Sequence, residues 1–472
     1  MNATQSFERT VTRNFVALGA GELIARVVGF LTVIYIARSL GAEGYGVVGF
    51  ASAVLLYFAG IADFGIEGLG PREVANEPDR LKRLVPTVVV VRLGIALVLA
   101  VAISAGGFVT LPPLDATVLA LQSLTLVAVG LSTRWVFLGL EQAGRVALSR
   151  TFGEVLRIVL VVVFVRAAED ILLVPITQAI AETAAVILLL WWLHRRGMLP
   201  RFQWDFADSR QLFKAAFPIV ITTLLGLAIY NSDLLLLRVF RGTEEIGFYL
   251  AAYTLIALLG NLSTAYGASL LPTLTRAGKT DTSQTNLFHT AIAHVFAAAV
   301  PIAVGGFITA QQIIDVSFGA EYAPSARVLQ VLLLSVPFLL VRGVLQTVLI
   351  STGRQDRVMW ITAAAAALNV TLNLLLISRY GMLGAAAATV ATEIVRVVVV
   401  QVFVRLQGFS RIGLDRLWRT LFAAALMAAA LLMLPIRSIW LIVPLGVLVY
   451  AIGLVLVGGI RLQSSLKPRL NL

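Results

Sequence analysis

Apolar runs of about 20 residues recur along the whole chain, separated by short polar segments, and a helix of that length crosses about 30 Å of hydrocarbon. The pattern predicts fourteen spans. They fall near 15–38, 44–66, 85–106, 114–139, 151–168, 171–193, 215–238, 247–272, 286–312, 326–351, 358–378, 383–404, 418–434 and 439–460. The longest connection, 194–214, carries Pro200, Trp204 and alternating charges. The expected object is an all-α polytopic membrane protein: an N-terminal six-helix lobe (1–193), a linker (194–214), a C-terminal six-helix lobe (215–406), and two additional transmembrane helices with a tail (407–472).

An internal repeat supports that division. GAEGYG at 41–46 and GTEEIG at 242–247 share Gly-x-Glu-x-x-Gly, each after the first span of its block. Glu182 in AIAETAAV and Glu393 in TVATEIVR occupy similar places near the block ends. Six spans is an even number, so both blocks enter from the same side. Repeats of equal orientation are related by an axis along the membrane normal, which implies two pseudo-symmetric lobes around a central cavity.

Composition agrees: 59% of the 472 residues are hydrophobic and 13% charged, about half the charge of a soluble domain. Mean hydropathy is +0.92. The net charge of +12 raises nucleic acid as a partner, but the distribution argues against it. Most of the 37 Lys and Arg lie in the even-numbered connections and the tail, for example Arg80, Lys82 and Arg83, or Arg195, Arg196 and Arg201. That is the positive-inside pattern; it places both termini in the cytoplasm of a cell-membrane protein. The first apolar run is too long and too charged for a cleaved signal peptide. With no cysteine, thiol chemistry is excluded. His194, His289 and His294 make no metal motif.

The informative residues are charges inside spans. Gly19, Glu22, Arg26 and Gly29 fall at i, i+3, i+7 and i+10, on one helical face. An Arg at the bilayer centre costs about 3 kcal/mol even on a mild scale, so it must pair or meet a ligand. Arg342 in span 10, and Glu393 and Arg396 in span 12, are as deep, as is Glu182 in span 6. Glu22–Arg26 and Glu393–Arg396 are spaced for intrahelical pairs. Asp63, Arg92, Arg134, Glu154, Arg157 and Asp233 lie nearer an interface, where arginines snorkel. Asn369 and Asn373, at i, i+4, read as hydrogen-bonding glue between helices. The working assignment makes Arg26, Arg342 and Arg396 cavity residues that contact phosphate. Glu22, Glu182 and Glu393 would tune them or couple an ion, and Asp63 would belong to a gate. No nucleophile elbow, nucleotide-phosphate loop or acidic metal cluster is visible, so neither an enzyme nor a cofactor is expected.

Several stretches resemble the polysaccharide-biosynthesis flippases. They include the run from Arg26 to Gly46, ADFGIEGLGPREVA around Asp63–Ala75, WVFLGLE at 135–141, and in the second block EYAPSARVLQVLLLS and NVTLNLLLISRYGMLGAAAATVATE. Together they cover most of 14–396. The superfamily also holds multidrug and toxin extrusion carriers and lipid II flippases. The resemblance implies a flippase moving a polyprenyl-pyrophosphate-linked oligosaccharide from inner to outer leaflet by alternating access. Membrane lipid would be its surroundings, and its partners the glycan polymerase and glycosyltransferases of the same O-antigen-type pathway. Two alternatives stand beside it: a cation-coupled multidrug exporter, whose cavity favours acidic and aromatic residues, and a membrane glycosyltransferase or polymerase, which needs carboxylates on the outer side.

Overall fold

The computed structural model describes residues 3–76, 81–197, 206–276, 281–409, 417–434 and 438–458; the regular elements there are helical. Residues 198–205 of the expected linker, 410–416 and the tail from 459 lie outside the described residues. α1 (Ala3–Asp63) is two spans merged across Gly41, whose φ of 69° interrupts the helix. α2 (Ile66–Asn76) follows a turn at Phe64 and Gly65, both with positive φ. α3 (Leu81–Thr110) leads to α4 (Pro113–Ser123), α5 (Thr125–Leu131) and α6 (Arg134–Gly139), which make one broken crossing. Next come α7 (Ala143–Phe164), α8 (Leu173–His194), α9 (Phe206–Phe240), α10 (Thr243–Arg276) and α11 (Asp281–Ser317). α12 (Ser325–Leu333) and α13 (Val336–Ser351) meet at a 42° bend beside Pro337. Then come α14 (Gln355–Leu406), interrupted at Gly381, α15 (Leu417–Met433) and α16 (Ile439–Leu456).

Among the described residues, eight helices are long and apolar enough to cross a membrane, ten when each bent pair counts as one span. Gly21–Asn76 and Gln355–Leu406, at 56 and 52 residues, are each enough for two crossings at about 20 residues apiece. α7, carrying Arg150, Glu154 and Arg157, and the 17-residue α15 bring the number to the fourteen expected. Val109, Leu432 and Trp440 are 85%, 72% and 77% exposed, an outer surface suited to lipid rather than water.

Packing divides the chain into two compact units. The first is Met1–Leu250 with Val370–Met382, the second Ala251–Asn369 with Leu383–Leu472. In the first, Ile66, Val88, Trp135, Phe137 and Leu193 form a fully buried cluster. Gly70 is required there, since an added Cβ would lie 2.6 Å from Trp135. In the second, α15 and α16 pack on α11 through Val300, Met427, Leu431 and Leu454, and the Tyr450 hydroxyl donates to the Ala297 carbonyl at 2.7 Å.

The repeated glycine motif has a structural cause. Gly41 and Gly242, its first glycines, both take positive φ (69° and 116°) and turn the chain into the following helix. Gly46 and Gly247, its last glycines, make a reciprocal contact inside the first unit. A Cβ on Gly46 would sit 1.8 Å from the Thr243 carbonyl oxygen, and one on Gly247 would sit 1.9 Å from that of Ala42. Only two glycines let these backbones approach so closely. Nearby, Glu245 accepts a hydrogen bond from the Met382 N–H at 2.8 Å, just after Gly381, and Arg241 donates to the Ile377 and Ser378 carbonyls. Those bonds fix the middle of α14 against the start of α10 within the same unit.

Because both obstacles are backbone atoms, Gly46→Val or Gly247→Val should lower stability by about 1–3 kcal/mol, as overpacking does. Gly94→Ala, whose Cβ would meet nothing within 4 Å, should be neutral or slightly stabilising. Thermal unfolding in detergent reads the difference; equal melting for the three variants would contradict the contact.

Candidate functional site

Both locally spaced pairs form, and each acquires a third member from another helix. On α1, Arg26 Nε donates to Glu22 Oε1 at 3.0 Å. Across from it on α7, Arg150 Nη1 reaches Glu22 Oε1 and Oε2 at 2.9 and 2.7 Å. Close packing of the two helices permits this: Gly21 faces Ala147, where a Cβ would stand 2.7 Å from the alanine's own. One carboxylate therefore serves two guanidiniums, and the cluster keeps a formal charge of +1.

The second unit repeats the device. On α14, Arg396 Nη1 donates to Glu393 Oε1 at 2.7 Å. Arg342 of α13 donates through Nε to Glu393 Oε2 at 2.7 Å and through Nη1 to Gln346 Oε1 at 2.8 Å. All three are buried, Glu393 and Arg396 at 3% exposure and Arg342 at 9%. The shared carboxylate lowers the cost of burial but does not cancel the charge. Of the three arginines expected to act together, the structure brings Arg342 and Arg396 to one carboxylate, whereas Arg26 belongs to the first unit and shares Glu22 there with Arg150 of α7. Arg150 is the member that sequence reading left in a basic connection.

Asp63 ends the second span of α1 and receives Arg92 Nη2 at 2.8 Å. Arg92 was expected to snorkel; instead it is fully buried and also donates to the Val129 and Ser132 carbonyls, both at 2.9 Å. The reason is the break between α5 and α6, which frees carbonyls that a continuous helix would have used. Asn369 donates to Thr392 across the Gly381 interruption, the glue role its spacing suggests. Buried Asp233 accepts the Tyr249 hydroxyl.

Glu182 lies on a cavity of about 320 Å³ within the first unit, bounded by α5, the start of α6, α7 and α8, whose mostly apolar lining carries several charged side chains. Arg134, Arg150, Glu154 and Arg157 line it as well. Gln178 links its walls: the amide donates to Glu182 Oε1 at 2.8 Å, while its carbonyl accepts Arg157 Nη2 at 3.0 Å and Gln122 Nε2 at 2.9 Å. Arg157 thus points inward, not towards an interface. The i, i+4, i+7 spacing of Arg150, Glu154 and Arg157 was the available signal, and it was diluted by the apolar residues between them.

Comparison with known proteins fits this architecture. The sequence profile described as "Polysaccharide biosynthesis protein" matches residues 11–277. A protein of Escherichia coli (strain K12) named "Putative O-antigen transporter" is 21% identical over 268 residues, which span 56% of this chain and 64% of that protein. In fold, the chain is similar to the lipid II flippase MurJ in an inward closed conformation, with a TM-score of 0.75 at 14% identity over 93% of this chain and 98% of that one. It is also similar to an inward-facing multidrug resistance MATE family transporter, with a TM-score of 0.64 at 15% identity over 81% and 94%. A Pyrococcus furiosus transporter noted for the reverse polarity of its binding pocket gives 0.57 at 16% identity over 84% and 95%. The profile covers more than half the chain: it belongs to the polysaccharide biosynthesis protein family and is a multi-span helical membrane protein.

Proposed function

We propose that this protein is a flippase for a polyprenyl-diphosphate-linked oligosaccharide, carrying it from the inner to the outer leaflet by alternating access. The observation that supports the reading best is the pair of Arg–Glu–Arg clusters, one per unit, each gathering two guanidiniums on one carboxylate. A diphosphate dragged through hydrocarbon would lose its hydration. Guanidinium forks replace that hydration with charge-assisted, bidentate hydrogen bonds. In this reading Arg26 with Arg150, and Arg342 with Arg396, hold phosphate, while Glu22 and Glu393 fix the forks in place. Glu182 is the ion-coupling candidate and Asp63, locked to Arg92, a strut of the inner gate. An apolar cavity of about 430 Å³ in the second unit, lined by Phe296, Pro337, Phe338 and Leu421, has the chemistry to take polyprenyl methylenes. Both termini in the cytoplasm, and a working association with the enzymes that build and polymerise the glycan, complete the proposal.

The fold is shared with multidrug carriers and does not choose between cargoes; the arginines support an anionic one. A cationic drug would meet two arginines for each carboxylate in these clusters, which disfavours it.

In liposomes carrying a fluorescent polyprenyl-diphosphate-linked sugar, Arg26→Ala, Arg150→Ala and Arg342→Ala should each slow leaflet exchange about tenfold to a hundredfold. That range is one lost charged hydrogen bond of about 1.5–3 kcal/mol. Arg26→Lys should fall between, since the charge stays and the fork goes. Unchanged exchange in all three alanine variants, or protection of cells against cationic drugs by the wild type, would argue for a different cargo.

Stability and transport should separate at the second cluster. Glu393→Leu alone leaves two guanidiniums buried without their counter-ion and should cost about 3–5 kcal/mol. The triple replacement R342M/E393L/R396M should regain most of that stability and still fail to transport. Recovery of transport by the triple variant would reduce the cluster to a packing device.

A further inference from the structure

The cavity of the first unit shares Arg150 with the first arginine cluster and adds two carboxylates, Glu154 and Glu182, to its lining. Arg150 is engaged by Glu22. Glu154, one turn further along α7, makes no hydrogen bond to a described residue; its Oε2 is buried without a partner and lies against Gly29, where a Cβ would stand at 3.4 Å. Another turn on, Arg157 gives one N–H to Gln178 and keeps a buried Nε without a partner. Glu182 faces the same space. Glu154 and Arg157, three residues apart on α7, thus bring a carboxylate and a guanidinium to one cavity, with Ala128, Val146 and Ala181 among its apolar lining.

We propose that this cavity is a sugar-hydroxyl subsite, which holds the lipid-proximal part of the glycan while the arginine clusters hold the diphosphate. It rests on the flippase reading above. A phosphate brings acceptors only and would set like charge against Glu154 and Glu182. A cation would suit the carboxylates but face Arg134, Arg150 and Arg157. A hydroxyl donates and accepts at once, so a vicinal pair on a sugar ring satisfies Glu154 and Arg157 together, as neither ion does. At about 320 Å³ the cavity lies at the small end of ligand pockets, with room for on the order of one or two sugar residues. The C–H face of the ring would rest on the alanine and valine side chains.

The test uses the full-length protein in nanodiscs, titrated by native mass spectrometry with two probes: a polyprenyl-diphosphate-linked trisaccharide, and polyprenyl diphosphate without sugar. Wild type should prefer the sugar-bearing lipid by about tenfold or more, since a site built for hydroxyls discriminates against ligands lacking them. Glu154→Gln should remove most of that preference and leave affinity for the sugar-free lipid unchanged. Ala185→Met, which fills the cavity and alters no charge, should do the same, and it decides the matter if Glu154→Gln fails to fold. Equal loss of both lipids, or no loss of preference in either variant, overturns the subsite. So does a shifted pH profile of leaflet exchange in Glu154→Gln with the sugar preference intact, which would make Glu154 a proton carrier. Equal wild-type affinity for both lipids sinks the subsite alone, whereas failure of wild type to bind either lipid sinks the flippase reading beneath it.

Discussion

A guanidinium cannot be left bare among apolar helices, and a guanidinium fully neutralised by its own carboxylate has little left to offer a ligand. The structure meets both constraints by sharing. Glu22 serves Arg26 and Arg150, and Glu393 serves Arg342 and Arg396. Each carboxylate lowers the desolvation cost of two cations. In the proposed flippase, two guanidiniums per carboxylate would favour an anionic head group, the more so where the effective dielectric is low.

The glycines and the charges depend on each other. Gly21 brings α1 close enough to α7 for Arg150 to reach Glu22, and Gly29 leaves room for the Glu154 carboxylate. At the other end of the same unit, Gly46 and Gly247 allow two backbones into contact, and the positive φ of Gly41 and Gly242 starts both helices at the right place. Polar groups in this bundle sit where small residues let helices approach, and where breaks at Gly381 and Ser132–Thr133 free backbone acceptors.

Much of the fold was legible in the sequence because hydropathy over 20 residues is a local signal, and so was the glycine motif, because its two copies are alike. The pairs Glu22–Arg26 and Glu393–Arg396 were legible for the same reason, being neighbours on a helix. What completed them was not. Arg150 lies 128 residues from Glu22, and Arg342 lies 51 from Glu393; no periodicity reports a partner at that distance. Arg92 and Arg157 were read as snorkelling because their burial depends on the α5–α6 break and on Gln178, neither of which hydropathy can show. The 320 Å³ cavity is likewise a property of four helices together, and only Glu182 had been singled out by its depth in a span.

The most direct test of the central claim is competitive binding to the purified protein, with a polyprenyl-diphosphate-linked glycan and a hydrophobic organic cation of similar size offered together. The shared-carboxylate arrangement requires the anionic lipid to win, and the preference to shrink when Arg150 and Arg342 are both replaced by methionine. Preferential capture of the cation, or a preference indifferent to those two replacements, would contradict it.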